Sequence, residues 1–474
     1  MQFEIKVKVD NIITFFVIFC FFVTLNGCSA LAEEVSLHQL LEAGYRNNFS
    51  LKESRLEREM AEVDQTIARR AIYPEVSLNS SYTKLDQGQE IFNPEELTNF
   101  PHIDEDNLMV EGPDEVYNTG LSLQQPIYMS GKLGTGIDIA GKGLELARAR
   151  EEMTAEEVLL EIIQAYFNVL MAREQVEIEE QALETVREHK KTVEATFEAG
   201  MALKTDLLQV EIEEGNTLHS LQNARDQLQL ARRTLFNLTG MDLEEKSLKE
   251  VQLSSSVFSQ YNIDMIGRKK AKIENEVLPQ IYSTALKERQ DLKLLDLNKE
   301  LTELNLNLEE KANLPDIFLN ASYNWQGDQF TLDNGSWELT LGLSMNLFDG
   351  GKSQLEREKL RKELNKIDSN QRNIRNMVEV ELEKNMFDIE QNHKNIQLQE
   401  LNLVKARENL NLEEKRYRAG MGNYLDVMNA RTMLKKARTS LGFARYNYQL
   451  SMFDLLQKTG LLMEYFEGID KDGK

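Results

Sequence analysis

Cysteine is almost missing from this chain: of 474 residues only Cys20 and Cys28 carry a thiol, both near the start. That excludes a disulfide framework and a thiolate metal site from everything downstream. Proline is scarce as well, seven in all at 74, 94, 101, 113, 126, 279 and 315, so two long stretches run without a helix breaker. Histidine occurs five times, at His38, His102, His189, His219 and His393, never at i, i+3 or i, i+4 spacing, which leaves no helical metal pair and places most of them on solvated helix faces. No nucleophile elbow, zincin box or dinucleotide fingerprint is present. We therefore expect no enzyme, no cofactor and no metal. Positive charge is in deficit: the net charge of -24 opposes attraction to nucleic acid, and an acidic wall favours cationic solutes.

Long hydrophobic runs are also lacking, except one. Ile12 to Leu25 is apolar, follows Lys6 and Lys8, and is too short for a confident membrane span, so it reads as an export signal. Two processing sites compete. Leu25-Asn26-Gly27-Cys28 resembles a lipoprotein box in which Cys28 becomes the lipidated first residue, while Ala30-Leu31-Ala32 is the small-x-small pattern of ordinary cleavage.

What is present in abundance is internal repetition. From Leu121 onward the two halves match at an offset of 220: Gly131-Lys132 with Gly351-Lys352, Ala199-Gly200-Met201 with Ala419-Gly420-Met421, Asp206 with Asp426, and Thr239-Gly240 with Thr459-Gly460. Upstream, Pro74 pairs with Pro315 and Tyr82 with Tyr323 at an offset of 241, so the first copy carries a 21-residue insertion between Tyr82 and Leu121. A period this long marks a duplicated domain-sized unit, not a short solenoid repeat.

Each unit reads as helix, strand, loop, strand, very long helix, tight turn and return helix. Ile317, Leu319, Ala321, Tyr323 and Trp325 alternate with polar neighbours, as do Trp337, Leu339, Leu341, Leu343, Met345 and Leu347; Val76, Leu78, Tyr82, Leu121 and Leu123 repeat the scheme. About ten alternating residues suffice to cross a bilayer core as a tilted strand. Strand pattern alone favours a small soluble sheet with one face packed on helices. Aromatics tip the balance, because Tyr82, Tyr323, Trp325 and Trp337 gather toward the loop ends and Tyr128 and Phe348 mark the opposite ends, as two interfacial girdles would. Four strands cannot close a barrel, so closure requires further copies of the chain. Residues 132–198 and 352–418 contain no proline and would each reach about 100 Å as helices. Ile389, Ile396, Leu403, Leu410 and Tyr417 recur in sevens, the signature of supercoiled packing.

The chain thus divides into a signal, 1–32, or 1–27 if Cys28 is lipidated; a first repeat, 33–240, with strands near 75–84 and 117–128 and helices 132–198 and 203–239; a linker, 241–280; and a second repeat, 281–474, with strands near 316–326 and 336–348 and helices 352–418 and 424–459. The expected fold is mostly α with a membrane β-barrel portion: a duplicated β-hairpin plus long antiparallel helices, closing as an oligomeric β-barrel and an α-helical barrel tunnel. Residues 85–116 hold ten carboxylates and no Lys or Arg, a solvated loop by composition.

Two phosphate-loop look-alikes fail. Gly136 to Lys142 is followed by Gly143 where a hydroxyl must stand, and Gly351-Lys352-Ser353 has Asn346 where the first glycine belongs. Gly131 and Gly351 are better read as turns where strand becomes helix. The turns Ala199-Gly200-Met201 and Ala419-Gly420-Met421 stop one helix, and Thr205-Asp206 or Asp426 can cap the next.

Duplication, Pro-led first and third strands, the strand end Leu347-Phe348-Asp349-Gly350-Gly351 and the two Ala-Gly-x turns followed by aspartate together resemble the TolC-type outer membrane efflux protein family, over essentially the whole mature chain. The resemblance implies a homotrimer in the outer membrane of a Gram-negative bacterium, embedded in its lipid, with the helical tunnel in the periplasm. It also implies a passive exit duct for efflux or type I secretion, opened by a periplasmic adaptor and powered by an inner-membrane transporter. Thr205, Asp206, Tyr417, Asp426 and Asn429 would form the gate, and Gly200, Met201, Gly420 and Met421 the adaptor-docking turns. Gly422 stands where the family carries a gating arginine, and Asn429 where its constriction has a second aspartate. The closed-state lock is therefore expected to be weaker or built differently. The reading that competes is a non-conducting coiled-coil tether or structural envelope protein.

Overall fold

A computed structural model of the chain describes residues 34–84, 90–92, 109–111, 114–201, 203–242, 247–249, 278–327, 329 and 335–472. The export signal, Cys28, most of the acidic insertion and most of the 241–280 linker lie outside the described residues. The described elements are strands β1 (Glu34–Val35), β2 (Glu75–Lys84), β3 (Glu90–Phe92), β4 (Met109–Glu111), β5 (Glu115–Tyr128), β6 (Ser247–Leu248), β7 (Asp316–Gly327) and β8 (Ser336–Ser344). The helices are α1 (Leu37–Asn47), α2 (Phe49–Arg70), α3 (Lys132–Glu198), α4 (Lys204–Thr239), α5 (Leu278–Glu288), α6 (Gln290–Glu310), α7 (Lys352–Arg418), α8 (Tyr424–Thr459) and α9 (Leu462–Asp472). Most of the chain is helical. None of the described helices is long and apolar enough to cross a membrane.

Two compact units emerge, and they cut across the sequence repeats. One comprises residues 1–53, 152–290 and 375–474; the other comprises 54–151 and 291–374.

In the first unit the core is built from helix faces with three- and four-residue spacing. Leu159, Ile162, Ile163, Tyr166, Phe167 and Leu170 of α3, Val378, Leu382 and Ile389 of α7, and Phe453, Leu455 and Leu456 of α8 are buried. Each such side chain contributes about 1.5–3 kcal/mol by leaving water. Polar atoms fix the ends of these helices. Ser36 and Gln39 form a reciprocal capping box at the start of α1. Asn48 then starts α2, its Oδ1 accepting the backbone N–H groups of Ser50 and Leu51, while its Nδ2 donates to Leu238 O near the end of α4. Gly460 closes α8 in the left-handed region at φ +75°, and a Cβ there would lie 2.7 Å from the Glu288 carbonyl carbon, so only glycine fits.

The second unit carries the antiparallel sheet, ordered β2-β5-β7-β8. The strand-to-helix junctions are fixed by left-handed pairs, Ser130-Gly131 at φ 51° and 78° and Gly350-Gly351 at 70° and 85°. Lys132 at the start of α3 reaches back to Asp316 at 2.8 Å. Asp349 accepts the N–H of Gly351 and both the N–H and the hydroxyl of Ser353. That pulls the Asp349 carboxyl down to about 2 and shows that the Ser353 hydroxyl serves the helix start, not a phosphate.

β8 stops at Ser344, short of the residue 348 suggested by its alternation. Its last pair is Asp316 with Ser344, and the partner strand is preceded by Pro315, which has no N–H to extend the ladder. The return helix α4 begins at Lys204, one residue later than its pattern suggested, because Leu203 holds an extended conformation at φ -81°, ψ 149°.

Candidate functional site

Two features stand out, one in each unit. The first is the sheet itself. Register places Leu78, Leu121, Tyr323 and Trp337 in one row across all four strands, Val76, Leu123, Ala321 and Leu339 in the next, and Leu319 beside Leu341 beyond it. Since paired residues of antiparallel strands share a face, these rows make one continuous apolar surface. It is open to solvent in the single chain: Leu78 is 69% exposed, Leu341 70% and Trp337 75%. A soluble sheet of this kind would bury that face. The hydroxyls that fall on it satisfy each other, Ser80 Oγ lying 2.9 Å from Thr119 Oγ1. The reverse face carries Ser77, Asn79, Gln124, Asn320, Ser322, Asn324, Glu338 and Thr340. β2 and β8 form the two edges, each paired on one side only among the described residues.

The second feature is the pair of helix turns. Gly200 and Gly420 lie at φ +73° and +71°. In each, the glycine N–H bonds back three residues, to Phe197 O and Tyr417 O, and the following methionine N–H bonds back five, to Thr196 O and Arg416 O, the pattern that ends a helix on a left-handed residue. Met201 and Met421 therefore project from the tips, 78% and 71% exposed. Neither aspartate is the N-cap proper. Asn423 caps α8, accepting the N–H of Asp426 at 2.9 Å, whereas Asp206, third in α4, reaches back to the N–H of Leu203 at 3.4 Å. Thr205 does not cap α4.

Above the turns, α3, α4, α7 and α8 enclose a small apolar cluster of Val186, Val193, Leu207, Val210, Tyr424 and Val427, against which Phe197, Leu410, Tyr417 and Met428 pack. Burial, and then the charge of Asp206, push the Tyr417 hydroxyl above its ordinary range, so the structure brings Asp206 and Tyr417 together. Thr205 and Asn429 are exposed, and Asp426 is half-buried at the start of α8.

The sequence points to no role for His189 and does not single out Glu213, Tyr424 or Arg431. His189 does not sit on a solvated helix face: its ring stacks on Tyr424 at 4.6 Å and 9°, with Tyr417 at 5.9 Å. The signal that could have found Tyr424 was its place seven residues after Tyr417, which continues the heptad series across the turn. The cluster adjoins a groove of about 840 Å³ walled by Glu184, Glu188 and Glu213 on one hairpin and Arg431, Lys435 and Arg438 on the other.

Comparison with known proteins gives these features a context. The sequence model described as "Outer membrane efflux protein" matches residues 40–241 and 281–461, once over each repeat. The chain is 20% identical over 456 residues to outer membrane protein TolC of Vibrio cholerae, covering 93% of this chain and 94% of the relative. It is 24% identical over 361 residues to the alkaline protease secretion protein AprF of Pseudomonas aeruginosa, covering 73% and 70% respectively. Among solved structures, the CmeC outer membrane channel of Campylobacter jejuni superposes with a TM-score of 0.72 at 16% identity, covering 92% of this chain and 88% of that one.

Proposed function

Because the chain belongs to the outer membrane efflux protein family, an outer-membrane transport family and not an enzyme family, we propose that it forms the trans-envelope exit duct of an efflux or type I secretion system. One observation carries this reading: the exposed apolar face that runs unbroken across a four-stranded sheet whose two edges are open. In hydrocarbon every backbone N–H and C=O must be paired, and an open edge leaves a row of them bare. The edge of β8 must therefore meet the edge of β2 of another copy. Three copies, the number the family resemblance implies, give a closed barrel of twelve strands, with the polar face lining its lumen. A non-conducting tether would leave that apolar face unexplained.

In the same reading α3, α4, α7 and α8 of the three chains form the periplasmic tunnel. The turns at Gly200-Met201 and Gly420-Met421 receive a periplasmic adaptor that connects the duct to an inner-membrane transporter, the source of its energy. Thr205, Asp206, Tyr417, Asp426 and Asn429 surround the tip where the duct closes. The barrel is held by outer-membrane lipid and binds no nucleic acid. The family relatives include a protein whose name is protease secretion, which supports polypeptide cargo as well as small solutes.

Native mass measurement on protein extracted from the outer membrane in mild detergent tests the assembly. We expect three chains per particle. A single-chain particle in the same extract would remove the closed barrel and the duct with it.

A further inference from the structure

The expected lock of the duct is incomplete, since Gly422 and Asn429 stand where the family resemblance places an arginine and a second aspartate. Gly422 is not simply a vacant position. A Cβ there would lie 3.3 Å from Arg416 Cβ and 3.4 Å from the Tyr417 nitrogen, so a larger side chain would press on the last turn of α7. The hairpins meet instead through other side chains at the tip.

We propose that Tyr424 is the clasp that holds the two hairpins of one chain together at the tip, its ring stacked on His189 of α3 and its hydroxyl bound to Glu213 of α4. Tyr424 is the first residue of α8 and is 2% exposed. Its hydroxyl donates to Glu213 Oε2, a charge-assisted bond between the two hairpins that joins residues 211 positions apart in sequence. The stack with His189 is nearly parallel, and Tyr417 of α7 closes the third side at 6.0 Å from Tyr424. One aromatic side chain thereby touches three other helices.

Arg431, one helical stretch along α8, completes the surroundings. Its Nη2 reaches Glu414 of α7 at 3.4 Å, and its Nε and Nη1 are buried without a hydrogen-bond partner among the described residues. Burial, and then this fixed positive charge, hold the neighbouring imidazole neutral, and a neutral ring is the form that stacks without bringing a second charge into the cluster. Asp206, whose charge reaches Tyr417, is a second acidic group of α4 beside Glu213 at this cluster. The clasp acts through the positions of the hairpins, not on the transported solute, so Tyr424, Glu213 and His189 are positioning residues.

The inference rests on the duct reading and is tested apart from it. Single-channel records of the intact oligomer in a planar bilayer give the ratio of open to closed time. Tyr424→Phe, which keeps the ring and removes the donor, is expected to raise that ratio about tenfold, as loss of a hydrogen bond to a charged group would. Glu213→Gln should raise it as well, and the double variant should exceed neither single change by more than about twofold, because both remove one contact. His189→Ala should open the channel and His189→Phe, which restores a flat ring, should bring the ratio back toward the parent value. Effects of Tyr424→Phe and Glu213→Gln that multiply as independent changes would overturn the clasp. So would parent-like ratios in both variants while Asp206→Asn still opens the channel, an outcome that leaves the gate standing. Parent-like behaviour in all three, Asp206→Asn included, would overturn both clasp and gate.

Discussion

His189 shows how one residue can bind the stability of the hairpin tips to pH. Burial, and then the charge of Arg431, lower its pKa from 6.5 to about 4. Above pH 6.5 the imidazole is neutral whether packed or released, and the packed state is not penalised. Below 6.5 the released state takes up a proton that the packed state refuses, so stability falls as the pH drops from 6.5 to about 4 and levels off beneath it. His189→Gln should flatten that part of the thermal stability profile of the purified protein while leaving the profile above pH 7 parallel to the parent. A slope between pH 4 and 6.5 that survives the substitution would assign it to other groups. Sequence gave no warning of this residue. Its partners are contributed by α7 and α8, and contacts between helices so far apart leave no local spacing to read.

At the scale of elements, the strands and the long helices were legible for clear physical reasons. A strand with one face in lipid and one in water alternates with period two, and Ile317 to Trp325 keeps that alternation without a break. The long helices announce themselves by the glycine turns that bound them, at 131 and 200 and again at 351 and 420, with no proline between. The end of β8 was not legible, because a ladder ends where its partner ends and Pro315 lies on the other strand. Likewise the division into compact units follows packing across both repeats, not the duplication that is visible in the letters. The two faces of the sheet make opposite forecasts. Leu341, 70% exposed on the apolar face, should tolerate arginine poorly: Leu341→Arg is expected to destabilise the membrane-inserted protein by about 2–4 kcal/mol. Thr340→Arg, on the polar face one residue away, should change stability by less than about 1 kcal/mol. Denaturant titration of protein folded into lipid vesicles compares them, and equal losses would mean that the two faces do not see lipid and water respectively.

For the whole molecule, the single chain is an incomplete object. Among the described residues its sheet presents two open edges and an uncovered apolar face, while exposed apolar side chains such as Leu56, Val63, Val380, Phe387, Leu398 and Leu401 extend along α2 and α7. Apolar surface of this extent marks a face made for further protein or lipid. Sequence reasoning reached closure between chains from strand length and number, and family resemblance supplied the count of three. The property that decides the proposed function is whether the oligomer conducts. Purified oligomer added to a planar lipid bilayer should produce discrete openings of uniform conductance, absent when the protein is first dissociated into single chains. A correctly assembled oligomer that inserts and never passes current would contradict the duct and leave a structural tether in its place.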